Sequence, residues 1–290
     1  MFVQRLNTFL FVCLTSVGTA YAWMQEQSVT VQIDTQTSAP EVPYVPTPQE
    51  VVDEMLRIAH VTHKDVLYDL GSGDGRIVIS AAQQFGARGI GVDINPKRIS
   101  EAQENALQAG VTDRVQFLQQ DLFETDLRGA TVVTLYLLPK VNLRLRPILL
   151  RDLQPGTRVV SHEFHMGDWR ADREVQLAGG YKIYFWVIPA PVAGTWTWNP
   201  AEANDAQPYE LHLTQHFQQV NGVLKANGIE MPVANVKLIG DQLDFLALQE
   251  TAILTFSGRV NDHMITGHVE IDDGEAKSRQ PWVASRPVSQ

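Results

Sequence analysis

Cysteine is almost missing from this chain. Cys13 is the single one among 290 residues, which excludes a disulfide framework and a zinc site built on thiolates. Stability must come from burial, and a chain of this length can bury enough. Positive charge is scarce as well: 23 Lys and Arg stand against 33 Asp and Glu, a formal net charge of −10. Affinity for nucleic acid rests on clustered Lys and Arg, so no broad phosphate-binding surface and no nucleic-acid partner are expected. Long apolar runs are lacking too. Thr8 to Ala20 is apolar but too short to span a bilayer, and no transmembrane segment is expected in the mature chain. What is present is an ordinary globular composition, 44% apolar and 19% charged, in a length that suits two domains.

Residues 1–22 have the parts of a secretory signal. Arg5 and the amino terminus give a weakly positive start, the apolar stretch follows, and Ala20-Tyr21-Ala22 is an A-x-A site with cleavage before Trp23. The protein is therefore expected to be exported, to a periplasmic or extracellular location; a start at Met24 would instead leave it cytoplasmic. Residues 23–43 read as a flexible lead, polar and rich in Thr, Gln and Pro.

Residues 44–189 alternate strand and helix. Thr47, Pro48 and Glu50 form a capping box ahead of a helix whose apolar stripe is Val51, Met55, Ile58 and Ala59. Strands follow at Val66–Leu70, Gly89–Asp93, Val115–Leu118, Thr131–Leu137 and Arg158–Ser161. The helices between them begin at Ile77, at Asn95-Pro96 and at Val141. A terminal hairpin turns at Gly179-Gly180. This rhythm predicts an α/β fold, doubly wound, with a mostly parallel seven-stranded sheet. After a linker at 190–208, helical periodicity stops. Residues 209–276 alternate apolar and polar, with turns expected at Asn221-Gly222, Asn227-Gly228 and Asn261-Asp262. They predict a small all-β sandwich or barrel, with Gly194-Thr195-Trp196 as an additional first strand and a loose tail at 277–290.

The chemistry centres on Val66-Leu67-Tyr68-Asp69-Leu70-Gly71-Ser72-Gly73-Asp74-Gly75-Arg76. An apolar strand ends in an acid and runs into three alternating glycines. Dinucleotide folds use G-x-G-x-x-G there, and Arg76 occupies the position of the last glycine, which disfavours a pyrophosphate cradle and a nicotinamide-dependent oxidoreductase. Asp93 ends the second strand, where a carboxylate can accept both ribose hydroxyls. Gln120-Asp121-Leu122 follows the third strand and Tyr136-Leu137-Leu138-Pro139 the fourth. All four places lie at carboxyl ends of parallel strands, the ligand side of open α/β sheets. Ser161-His162-Glu163-Phe164-His165 is one residue short of H-E-x-x-H. On a strand its two histidines point to opposite faces, and His60 and His63 have no third ligand nearby, so no metal site is expected.

The pattern of Asp69, Gly71, Gly73 and Gly75 resembles the first motif of class I S-adenosylmethionine-dependent methyltransferases, a Rossmann-like family. The resemblance covers roughly Tyr44 to Ile188. It implies S-adenosyl-L-methionine as cofactor, with the glycines passing under its methionine and ribose portion and Asp69 helping to hold its amino group. The cofactor contacts it implies are Thr47, Asp69, Gly71, Ser72, Gly73, Gly75, Asp93, Ile94, Gln120, Asp121 and Leu122, with the acidic or amide side chains after the third strand turned toward the adenine. Tyr44-Val45-Pro46-Thr47-Pro48 ahead of the loop is similar to the small group related to mitochondrial protein-lysine methyltransferases, in which this segment folds over the cofactor. That implies an amine acceptor, with Tyr136 and His162 as the candidate catalytic residues beside it. The Asn/Asp-Pro-Pro-Tyr/Phe motif of many amino methyltransferases is absent after the fourth strand, which leaves the acceptor open between a protein lysine and a small-molecule nucleophile. The alternative is a non-catalytic module that holds an adenosyl ligand while the β domain recognises a partner. Export also sets a conflict: S-adenosylmethionine is not expected to be plentiful outside the cytoplasm.

Overall fold

In the computed structural model of the protein, residues 44–199 and 207–287 are described. The expected signal (1–22), the lead (23–43), part of the expected linker and the last three residues lie outside them.

The first unit opens with α1 (Gln49–Ile58), which buries Val51, Val52, Met55, Leu56 and Ile58. The expected capping box does not form. Pro48 stands at the cap, its carbonyl accepting from the amides of Val51 and Val52 at 3.0 Å, while the Thr47 hydroxyl is engaged with His162 across the fold. Then come β1 (Val66–Leu70), α2 (Arg76–Phe85), β2 (Arg88–Asp93), α3 (Pro96–Ala109), β3 (Val115–Gln119), β4 (Val132–Leu135), α4 (Pro139–Asp152), β5 (Arg158–His162), β6 (Arg173–Gln176) and β7 (Lys182–Val187). Local chemistry sets the helix ends. The Asn95 side chain accepts from the Lys97 amide and Pro96 opens α3; Gly86 and Gly110 close α2 and α3 in the left-handed region.

The seven strands lie in the order β3-β2-β1-β4-β5-β7-β6. The five from β3 to β5 are parallel, and β7 and β6 are antiparallel additions. Side-chain alternation feeds two cores. Val132, Val160, Ile183 and Phe185 pack with α1, α2 and α3. Their chain neighbours Val133, Val159, Tyr184 and Trp186 pack on the other face with α4, Met166 and Trp169. Chain order reverses between β1 and β4, so a crevice opens at their carboxyl ends, where doubly wound sheets take ligands.

The second sheet is antiparallel and has nine strands: β8 (Gly194–Trp198), β9 (Tyr209–His216), β10 (Gln219–Ala226), β11 (Ile229–Pro232), β12 (Ala234–Ile239), β13 (Gln242–Gln249), β14 (Ala252–Asn261), β15 (Met264–Asp272) and β16 (Lys277–Ser285). Their order is β11-β10-β9-β8-β16-β15-β14-β13-β12. The sheet curls until β10 approaches β12 and β11 approaches β13, so it is nearly a barrel. Its interior holds Trp196, Phe245, Phe256 and Trp282.

Gly194-Thr195-Trp196 forms the expected first strand, β8, within the stretch otherwise expected as linker. Three other expectations for this half need correction. The stretch expected as a loose tail supplies β16, which pairs with β15 from Lys277 to Ser285 and buries Trp282 and Ala284. Asn221-Gly222 is not a turn but lies inside β10; the chain reverses at Phe217-Gln218, between the paired His216 and Gln219. Gly222 is there because a Cβ would stand 2.4 Å from the His212 carbonyl oxygen of the neighbouring strand. Asn227-Gly228 does turn, with both residues at positive φ. The later turn falls one residue beyond expectation, at Asp262-His263.

Candidate active site

Asp69 sits on β1 with Gly91 opposite on β2 and Thr134 opposite on β4. It is 3% exposed. The Thr134 hydroxyl donates to its Oδ1 at 2.7 Å. Burial pushes its pKa up to about 7 against that hydrogen bond, and the carboxylates of Asp93 and Asp74 push the same way.

The loop after Asp69 is bound to the end of β2. The Gly71 and Ser72 amides both donate to the Val92 carbonyl, at 2.8 and 2.9 Å, and the Gly73 amide donates to Asp93 Oδ2 at 3.0 Å. Gly71 and Gly75 have φ of 82° and 79°, a region costly to residues with a side chain. Space forbids one as well: a Cβ on Gly71 would lie 2.9 Å from Leu137, and one on Gly75 would lie 2.6 Å from the Phe117 ring. The glycines thus bring bare backbone to the crevice. Asp93 Oδ1 accepts from the Asn95 amide at 2.9 Å. Each of its oxygens has one bond from the chain and one further lone pair to offer. Ser72 Oγ is buried with no partner.

The remaining expected contacts ring the same sheet edge. Ile94 is 37% exposed just beyond β2. Gln120 Nε2 donates to Thr125 Oγ1 at 2.8 Å, and Asp121 Oδ1 caps the short turn Leu122–Glu124 through the Phe123 amide at 2.9 Å.

Tyr136 and His162 end neighbouring strands, and their rings meet with centroids 4.0 Å apart. Phe164 also stacks on Tyr136, at 6.2 Å and 15°, and Tyr181 approaches His162 at 5.7 Å. His162 is 1% exposed. Its Nδ1 lies 3.3 Å from Thr47 Oγ1, and its Nε2 is buried without a partner. Burial lowers its pKa, with Glu163 working weakly against that, so the ring is neutral near pH 7. His165 is exposed and turns away to its own loop, where the Gly167 amide donates to Nδ1. Among the described residues no group of three or more His, Cys, Asp or Glu side chains could hold a metal ion.

Sequence reasoning missed how the leading segment is attached. The Tyr44 ring covers Gly73, where a Cβ would stand 2.4 Å from it. Arg98 of α3 lies 3.8 Å over that ring, and burial, with the Asp74 carboxylate adding to it, raises the pKa of the Tyr44 hydroxyl. Arg76 pairs with Asp74 at 2.6 Å and donates to the Thr47 carbonyl at 2.9 Å. The residue that breaks the dinucleotide pattern is therefore the tie between loop and lead. An aromatic in the segment before the loop was the available signal.

S-adenosylmethionine is a nucleoside that carries a sulfonium, an ammonium and a carboxylate. The arrangement fits it on three counts: a buried carboxylate whose charged neighbours are themselves carboxylates, bare glycine backbone, and an Asp93 with lone pairs to spare.

The family described as ANTKMT methyltransferase domain matches residues 69–173. Over 153 residues the chain is 48% identical to a protein-lysine N-methyltransferase of Saccharolobus islandicus, an alignment that covers 51% of this chain and 95% of that protein. It is 36% identical over 131 residues to the adenine nucleotide translocase lysine N-methyltransferase of Mus musculus, covering 45% of this chain and 56% of that protein. Among solved structures, an RNA methyltransferase from Salinibacter ruber, in complex with S-adenosyl-L-homocysteine, is 59% identical with a TM-score of 0.50, covering 51% of this chain and 96% of that one.

Proposed function

We propose that this chain, which belongs to the S-adenosylmethionine-dependent methyltransferase family of these protein-lysine N-methyltransferases, methylates a lysine side chain of a protein. The observation that carries the acceptor is the orphaned Nε2 of buried, neutral His162 beside Tyr136. A lysine ammonium must lose a proton before its lone pair can attack. With Nδ1–H donating to Thr47 Oγ1, Nε2 presents a lone pair to an incoming ammonium, and the Tyr136 hydroxyl orients the amine. Tyr136, Phe164 and Tyr181 exclude water around it. The proposal thus gives Tyr136 and His162 the acceptor.

In the same reading Asp69 faces the cofactor's amino group and Gly71, Ser72, Gly73 and Gly75 lie under its methionine and ribose. Asp93 takes the ribose hydroxyls, and Ile94, Gln120, Asp121 and Leu122 border the adenine, while Thr47 closes the lead side. When bound, S-adenosylmethionine supplies the methyl group and its own leaving group, so the chain's main task is alignment. Export to the periplasm or the extracellular space is part of the proposal on the strength of residues 1–22 alone.

A second reading is an RNA acceptor, favoured by what the 59%-identical structure is called. The net charge of −10 argues against it. The deciding experiment supplies methyl-labelled S-adenosylmethionine and the full chain to a cell extract, divided for protease or ribonuclease treatment. Label released only by protease, and recovered as methyl-lysine after acid hydrolysis, is the expected result. Label lost to ribonuclease would overturn the lysine reading.

A further inference from the structure

The nine-stranded sheet touches the methyltransferase half at Gly240, which packs on Gly156, and reaches into it with the tip of the β9–β10 hairpin. Phe217, held at φ 56°, packs against the core that contains α4 and Trp169. Its ring stacks on Trp169 with centroids 5.8 Å apart, and Arg146 of α4 lies 5.2 Å over it. Gln218 then bonds three groups of the methyltransferase half. Its Oε1 accepts from Trp169 Nε1 at 3.0 Å, and its Nε2 donates to the Arg170 carbonyl at 2.7 Å and to Asp172 Oδ1 at 3.2 Å. His216 stands 3.6 Å from Asp168, which also pairs with Arg146.

All of these partners belong to, or hold, the segment 163–172 between β5 and β6. The other limb of that segment is the acceptor wall. Phe164 stacks on Tyr136, and its carbonyl accepts from Asn142 Nδ2 at 3.2 Å. Arg146 bridges the limbs by donating to the Met166 carbonyl at 2.7 Å. One short segment therefore faces the acceptor at one end and is gripped by the β sheet at the other. The Saccharolobus islandicus relative is covered to 95% by 51% of this chain, so it has no length left for a nine-stranded sheet. The grip is a property of this chain.

We propose that Phe217 and Gln218 are positioning residues for the acceptor: by fixing segment 163–172 they make the β domain a determinant of acceptor affinity, with no effect on cofactor binding. The proposal rests on placing the acceptor beside Tyr136 and His162.

The test uses the full chain with Gln218→Ala, Phe217→Ala and Gln218→Glu, and with Leu248→Ala on an exposed strand position as control. Hydrogen exchange followed by mass spectrometry should show segment 163–172 exchanging about tenfold faster in Gln218→Ala, with residues 66–85 unchanged. The Kd of S-adenosylhomocysteine should stay within about twofold by calorimetry. With poly-L-lysine as acceptor, its KM should rise about threefold or more while the KM of S-adenosylmethionine holds. Gln218→Glu keeps an acceptor for Trp169 but loses the donor to the Arg170 carbonyl and to Asp172 and sets a carboxylate against both, so it should loosen the segment at least as much as Gln218→Ala. Unchanged exchange in 163–172, or cofactor affinity lost in parallel, would overturn the proposal. If Phe217→Ala fails to fold, the two Gln218 variants decide. If the unaltered chain leaves poly-L-lysine unmethylated, the lysine acceptor is refuted, and the exchange measurement alone decides the positioning role.

Discussion

Replacing Asp69 by Asn should remove a pH dependence that the wild-type site is built to have. Asp69 is buried, its pKa stands at about 7 against 3.8 for a free side chain, and its charged neighbours are carboxylates. Because the folded value is raised, the native state holds the proton more tightly between the two values. Stability is fully present below pH 4 or so and falls as pH rises through the window, by up to about 4 kcal/mol at the plateau above pH 7. A ligand that brings a protonated amine to Asp69 reverses the preference, since a cation beside a carboxylate lowers its pKa by about 1–3 units. Binding then releases a proton, and affinity should weaken about tenfold between pH 8 and pH 6. Calorimetric titration with S-adenosylhomocysteine, in two buffers of different ionisation heat, measures both the affinity and the proton released. The Asp69→Asn variant keeps the hydrogen bond from Thr134 and subtracts the ligand's own ionisation. A flat wild-type profile, or the same slope in both proteins, would refute the placement of a cation at Asp69.

Gly75→Ala must force a left-handed φ on alanine and press a Cβ against Phe117 and Ala102, so it should cost about 3 kcal/mol or more in denaturant unfolding. Trp282→Ala empties a fully buried site on β16 and should cost about 3–5 kcal/mol; a near-zero effect would mean that β16 does not close the sheet. Tyr136→Phe preserves the ring contact with His162 and should lower kcat about tenfold by removing one oriented hydrogen bond, so undiminished turnover would dismiss the hydroxyl. His162 has a lowered folded pKa, so its contribution is lost as pH falls through the ordinary histidine range toward the folded value. Unfolding of His162→Gln should therefore be less acid-sensitive there than wild type.

The parallel sheet was readable because its signals are local. Asn95-Pro96 caps a helix, Gly86 and Gly110 end helices, and Asp69 and Asp93 end strands, each decided by a few adjacent residues. The second sheet was readable only in outline. Asn221-Gly222 has strong hairpin chemistry, yet the reversal falls at Phe217-Gln218, where Trp169 and Asp172 from the other half hold the turn. A tertiary contact of 49 residues' separation overrode a preference confined to two. The stretch at Lys277–Ser285 was obscured by its exposed charges, since only the alternate positions Trp282 and Ala284 face the core.

The same contrast divides the site. Glycines must stand in fixed spacing where backbone meets a ligand, so the cofactor side leaves a contiguous signature. The proposed acceptor side has no such constraint. Thr47 and His162 are 115 residues apart, and Tyr136, Phe164 and Tyr181 come from three separate segments, each reading locally as an ordinary strand-end aromatic. Their relation to one another is fixed by the register of β4 against β5 and of β5 against β7. Thr47 shows how such a residue deceives. Its position before Pro48 is that of a helix cap, and the hydroxyl that would make the cap is the one held against His162 Nδ1. A cap left unmade at α1, against a local preference for it, is the local trace of the contact between Thr47 and His162 on the proposed acceptor side.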